Sequence, residues 1–208
     1  MEFTRRSFGS FALLLAAAPR CVAQERNPVG NTGHATDKAA KLIEAAREQI
    51  GVTLHYDPAY TGLAFPNGDV PRSRGVCTDV IIRAYRDAFG ADLQALVNAD
   101  MKANFAAYPK NWGLRRTDRN IDHRRVPNLR RFLTRQGARL PLSTDVQSWQ
   151  PGDIFTSLVG GRLPHIGIVS DKSVGGIPLV IHNIGSGARE EDRLFTDTLN
   201  GHYRWRLA

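Results

Sequence analysis

A change of hydrophobic period along the chain constrains the fold most. Up to about residue 136 apolar residues recur at helical spacing, and from Asp153 onward they gather in short β-branched and aromatic runs. A helix buries positions i, i+3, i+4 and i+7, whereas strands show alternation or a short continuous apolar run. Helices first and strands last give an α+β domain, with N-terminal helices packed on a C-terminal antiparallel sheet, rather than a wound α/β sheet. The first helix is expected from Thr36 or Asp37 through Ile50, with Leu42, Ile43 and Ala46 inward and Gly51 as its stop. A second begins at or near Cys77, with Val80, Ile81, Ala84, Tyr85 and Ala88 on its apolar face, and closes at Gly90. A third runs from Asp92 to about Ala107, and Pro127 opens a short fourth that ends at Gln136 before Gly137. Strands are expected over Asp153–Leu158, His165–Val169, Leu179–Ile184 and His202–Leu207, with Gly160 and Gly161 turning between the first two. The stretch from Tyr56 to Arg74 holds three prolines and three aromatic rings and reads as an ordered loop.

The first residues set the context. Arg5 and Arg6 precede an apolar run, Phe11 to Ala18, and a small-residue stretch, Cys21-Val22-Ala23, leads into polar Gln24-Glu25-Arg26. That order is a secretory signal over residues 1–23, and the paired arginines resemble a twin-arginine signal. The run is short for a bilayer span, so no stable membrane anchor is expected. Residues 24–35 then form a flexible lead, and 36–208 a single domain. Export to the periplasm or medium follows as an expectation. Cleavage near Ala23 removes Cys21, one of the two cysteines, and leaves Cys77 as the lone thiol in a compartment where cysteines normally pair. Such a thiol is either buried and inert, or kept because it reacts.

Charge adds a second constraint. Lys and Arg number 28 against 20 Asp and Glu, and nine arginines fall between Arg115 and Arg139, within an arginine-rich insertion near 108–140. This balance favours an acidic partner, or else serves a solvated surface. Export and the absence of a recognisable module argue against nucleic acid. Nothing in the sequence fixes the oligomeric state.

A cysteine hydrolase needs a thiolate, a base to create it and a group that orients the base. A helix start stabilises a thiolate through free N–H groups and the helix dipole, and Gly75-Val76-Cys77-Thr78-Asp79 supplies one. The alternative is a small apolar residue on a buried helix face. His165 opens one strand and His182 lies late in the next, so antiparallel pairing can bring the two rings together. Side chains alternate along a strand, so only one of His182 and Asn183 can face His165, and His182 is favoured. Asp122-His123-Arg124-Arg125 reads equally as a substrate clamp for carboxylates, through Arg124 and Arg125, or as an ion-pair network pinning a long loop through Asp118 and Asp122. A zinc site made of Cys77, His165 and His182 lacks a metal-site spacing, so neither metal nor cofactor is expected.

Gly75-Val76-Cys77-Thr78-Asp79-Val80, Trp149-Gln150-Pro151-Gly152-Asp153-Ile154, Pro164-His165-Ile166-Gly167-Ile168-Val169 and Val180-Ile181-His182-Asn183 follow the motif order of the NlpC-type cell-wall peptidase superfamily. The chain resembles that superfamily, a branch of the papain-like fold, over residues 38 to 184. Tyr56-Asp57-Pro58, Gly68-Asp69-Val70-Pro71, Asn120 to Leu129 and His182-Asn183-Ile184-Gly185 further resemble an uncharacterised family of exported bacterial proteins within that clan. The resemblance implies Cys77 as nucleophile, His165 as general base and acid, and His182 as third member, with Asn183 its competitor. It also implies a tyrosine hydroxyl near the thiolate, for which Tyr56 is the candidate, and an oxyanion site that includes the Cys77 N–H. The implied activity is amide hydrolysis in peptidoglycan stem peptides. Acyl transfer, thioester or lipid-amide cleavage, and non-catalytic wall binding are the alternatives. Where common members carry serine-glycine after the cysteine this chain has Thr78-Asp79, and Asp79 puts a carboxylate beside the thiol.

Overall fold

A computed structural model describes residues 1–2 and 32–207. The segment expected to be a signal, beyond Glu2, and the expected lead up to Asn31 lie outside the described residues. Among those described, no helix is long and apolar enough to cross a membrane.

The chain forms helix α1 (Thr32–Arg47), the short strands β1 (His55–Tyr56) and β2 (Arg74–Gly75), and helices α2 (Cys77–Phe89), α3 (Leu93–Ala103) and α4 (Val126–Arg135). Strands β3 (Arg139–Leu140), β4 (Ile154–Val159), β5 (Leu163–Val174), β6 (Ile177–Asn183), β7 (Ala188–Glu191) and β8 (Thr198–Tyr203) follow. The last six make one antiparallel sheet in the order β3-β8-β4-β5-β6-β7. The expected α+β class is observed.

Local chemistry sets most of the boundaries. Gly90 takes φ 67° after α2, and its N–H bonds to the Arg86 carbonyl, a helix stop that glycine reaches without Cβ strain. Asp92 caps α3 by accepting from the Gln94 N–H. That helix ends at Ala103 and continues only as a 3-10 turn, Phe105–Ala107. The β4–β5 hairpin closes on Gly160 and Gly161 at φ 57° and 73°, the paired positive values that suit the twist of a two-residue turn.

The sheet alternates cleanly. Ile154, Ile166, Ile168, Ile181 and Tyr203 pack with α1, α2 and α4 in the main core, beside Cys77. Phe155, Val169 and Val180 point the other way, onto Trp149 and Leu194. Asp153, at the end of the Trp-Gln-Pro-Gly-Asp motif, is fully buried and accepts from His202 Nε2 at 2.7 Å and Arg204 Nε at 2.6 Å. This joins the start of β4 to the end of β8.

Two further elements have boundaries that differ from expectation. Helix α1 begins a turn earlier, at Thr32, and ends at Arg47. The final strand lies earlier, at Thr198–Tyr203, because Trp205 leaves the sheet to pack on Tyr85 and Phe132. Its alternation with Tyr203 and Leu207 is a helix-packing pattern. The Tyr56–Arg74 loop is ordered by Arg83, a fully buried arginine of α2 that binds Asp69 and the carbonyls of Val70 and Arg74.

Candidate active site around Cys77

The site begins with the start of α2. Val76 precedes the helix in extended conformation, and Asp79 accepts the Val76 N–H at 2.7 Å, closing the first turn. Gly75 must be glycine, since a Cβ there would meet Asp79 Oδ2 at 2.9 Å and Arg83 Nη1 at 3.2 Å. The Cys77 thiol is free and 4% exposed. Burial pushes the thiol up to about 12 and outweighs the backbone N–H groups of Ile166, Thr78 and Cys77 itself, which favour the anion.

The Ile166 contact explains how a helix start meets the sheet. Pairing of β5 with β6 begins only at Ile168↔Ile181. Ile166 would next stand opposite Asn183, but the ladder does not reach that pair, and the Ile166 N–H favours the anion of the Cys77 thiol. Asn183 turns toward the helix layer and donates to the Gly75 carbonyl at 3.1 Å. It therefore positions the cysteine-bearing segment and does not face His165.

His165 and His182 lie on the opposite sheet face, against Phe155. His165 Nε2 and His182 Nδ1 are 2.7 Å apart, and His182 Nε2 is 2.9 Å from Glu191 Oε1 on β7. Gly167 makes room for them: a Cβ there would come within 2.5 Å of the Phe155 ring and 3.0 Å of the His182 Cβ. The network fixes the tautomers. The Glu191 carboxylate accepts from His182 Nε2–H, which leaves His182 Nδ1 to accept from His165 Nε2–H. His165 Nδ1 is then the unprotonated nitrogen. Burial first, and the neighbouring His182 second, lower His165 to about 3. Burial also lowers His182, against the opposing pull of Glu191. Thiol and imidazole are thus both neutral at rest. Among the described residues no hydrogen bond joins the thiol to the His165 ring.

Tyr56 lines the same cleft as Cys77. Parallel pairing of β1 with β2 sets it opposite Gly75, and its hydroxyl is hydrogen-bonded to Cys77. Burial and the adjacent sulfur push the phenol up to about 12. A cleft of about 210 Å³ opens here, lined by Tyr56, Cys77, Trp112, Arg125 and Pro164 among others.

The Asp122–Arg125 segment divides between its two readings. Arg124 grips Asp79 with two bonds of 2.9 Å, and both side chains are almost fully buried. Arg124 is therefore not a free substrate clamp, and Asp79 is not a free carboxylate beside the thiol. Each neutralises the other. Arg125 pairs with Asp122 at 3.2 Å and lies 4.0 Å over the Trp112 ring at the cleft lip, so it remains a candidate contact for substrate. His123 is buried, and its Nδ1 finds no partner among the described residues. Burial is the main cause that lowers it to about 4.

Sequence reasoning missed Glu191. It lies on a four-residue strand of sequence Ala-Arg-Glu-Glu that carries no apolar alternation. The register His182↔Arg189 sets it two residues further along the partner strand, and only that pairing reveals it. Among the described residues, no group of three or more His, Cys, Asp or Glu side chains is arranged to hold a metal ion.

Fold and site together define an α+β protein with a helix-start thiol and a His–His–Glu chain on its sheet. The chain belongs to the family described as Domain of unknown function (DUF1287), which it matches over residues 43–205. It is 49% identical over 200 residues to an Escherichia coli (strain K12) protein named Uncharacterized protein YijF, covering 96% of this chain and 93% of that one. No solved structure matches it.

Proposed function

We propose that this protein is an exported cysteine hydrolase of papain-like, NlpC-type fold that cleaves an amide bond in peptidoglycan stem peptides. The observation that supports the reading is the presence of two half-sites in one domain. One is a helix-start thiol among backbone N–H groups and a tyrosine hydroxyl; the other is a His165–His182–Glu191 chain that leaves a basic nitrogen on His165. In this mechanism Cys77 Sγ forms a bond to the substrate carbonyl carbon while its proton passes to His165. The C–N bond then breaks, and His165 returns the proton to the leaving amine. Water hydrolyses the resulting thioester by the same proton route in reverse. Backbone N–H groups at the start of α2 are suited to hold the oxyanion. The small cleft favours a peptide unit over a long acyl chain, because it falls below the roughly 300 Å³ usual for small-molecule pockets. Export rests on the leader sequence alone.

A second reading, a wall-binding protein with an inert cysteine, draws on the burial of Cys77 and the missing hydrogen bond to His165. Incubation of the purified protein with sacculi, followed by mass analysis of the soluble fragments, separates the two. Wild type is expected to release muropeptides, and Cys77→Ala none. Equal release by both overturns the nucleophile assignment, and sedimentation with sacculi without release by either favours the binder.

A further inference from the structure

Many arginines of this protein are committed to carboxylates: Arg47, Arg72, Arg83, Arg86, Arg124, Arg135 and Arg204 all have an acidic partner within 3.2 Å. Among the arginines without an ion pair, one group gathers at a single place. Lys102 of α3 and Arg115, Arg116 and Arg119 of the following loop line a single open cleft of about 900 Å³. All four are exposed, and among the described residues none has a carboxylate within ion-pair distance. Solvated cations scattered over a surface need no explanation, but four converging on one concavity raise its positive potential together.

The cleft is also built in advance. Tyr60 donates to Asp118 at 3.1 Å, and Asn120 donates to Tyr60 at 2.9 Å and accepts from the Leu63 N–H at 3.0 Å. From beneath, Gln94 of α3 ties the carbonyls of Ala64 and Arg119 together at 3.0 Å each. The arginines therefore project from a stitched backbone, which reduces the ordering cost of binding. Phe65 lies at the wall under the Arg119 guanidinium, 5.5 Å from it, and presents an apolar flank.

We infer that this cleft is a docking site for an acidic peptide chain, with Arg115, Arg116, Arg119 and Lys102 holding its carboxylates. The Asp118 carboxylate stands among the cations. It disfavours a densely charged phosphodiester and suits a ligand that alternates carboxylates with N–H donors. Arginine forks match carboxylates in two-bond geometry. The segment that carries these arginines also supplies Trp112 and Ile121 to the Cys77 cleft, so a chain held here continues toward the sulfur. Only this last link rests on the hydrolase reading; the binding site does not.

The test titrates the full protein with fluorescein-labelled octaglutamate and with an octathymidylate of similar charge, followed by anisotropy at several salt concentrations. Wild type is expected to bind octaglutamate more tightly than the oligonucleotide, with affinity falling as salt rises. Arg115→Ser/Arg116→Ser/Arg119→Ser is expected to weaken octaglutamate by about tenfold or more. Arg131→Ser/Arg139→Ser/Arg162→Ser, which removes the same charge from exposed sites elsewhere, is expected to change it less than about twofold. Equal weakening by the two triple variants, no weakening by the first, or tighter binding of the oligonucleotide overturns the proposal. The hydrolase reading fails separately: continued muropeptide release by Cys77→Ala overturns it while leaving this binding result untouched.

Discussion

The Asp79–Arg124 pair offers the most quantitative check on how the helix-start thiol is supported. Both side chains are at most 3% exposed, and two N–H···O bonds of 2.9 Å join them, while Asp79 also accepts the Val76 N–H at 2.7 Å. At an effective dielectric near 20, charges about 4 Å apart attract by about 4 kcal/mol. Removing one partner leaves the other charge buried and uncompensated, which typically costs about 3–5 kcal/mol. Arg124→Met is therefore expected to lose stability in that range, a large share of the roughly 5–15 kcal/mol a domain possesses. Asp79→Asn keeps an acceptor for Val76 but strands the guanidinium, so a similar loss is expected. The double variant Asp79→Leu/Arg124→Met removes both charges and leaves mainly the unmet Val76 N–H, a penalty of about 1–3 kcal/mol. It should be more stable than either single variant of the pair. Urea unfolding of wild type, both singles and the double measures the coupling directly. Single losses below about 1 kcal/mol, as for an exposed pair, or strictly additive losses, would refute the argument.

Two further outcomes follow from the buried histidines. His123 is held at about 4 and His165 at about 3, both below the ordinary 6.5, so the unfolded chain binds more protons than the folded one at mildly acidic pH. Stability should be full above about pH 6.5 and fall as pH drops toward those values, by up to about 1.4 kcal/mol per unit per histidine; a urea midpoint that stays flat from pH 7 to pH 5 contradicts this. Glu191→Gln lets an amide N–H replace the carboxylate acceptor and reverses the tautomer order along His182 and His165. Muropeptide release should fall at least about tenfold with a melting temperature within a few degrees of wild type, and full activity in that variant removes Glu191 from the proton route.

How much was legible in the sequence depends on the range of the signal. Periodicity located α2, α4 and the central strands because each buries a face whose spacing is written locally: Val80, Ile81, Ala84 and Tyr85 recur at helical intervals and are all buried. Cys77 at a helix start and His182 facing His165 rest on capping and on strand alternation, and both are observed. Arg83 was invisible because its ligands are mostly loop carbonyls, to which many sequences can contribute. Arg124 looked like a clamp because the carboxylate that neutralises it lies 45 residues away on α2. Glu191 depended on the register of β6 with β7, which no single strand encodes.

The two half-sites are held by separate structures, and this has a consequence for catalysis. The thiol side hangs on the first turn of α2, fixed by Asp79, Arg124 and the Asn183 bond to Gly75. The imidazole side hangs on the β5–β6–β7 register, on the far face of the sheet. Between them the β5–β6 ladder stops short of Ile166, whose N–H favours the Cys77 thiolate. A buried thiol that stays neutral is a poor nucleophile in bulk solvent terms. In the proposed reaction its ionisation is therefore coupled to carbonyl attack, with proton transfer to His165 as the Sγ–C bond forms. The positioning of α2 against β5 then sets the rate more directly than the pKa of either group alone, and the Asp79–Arg124 clamp governs that positioning.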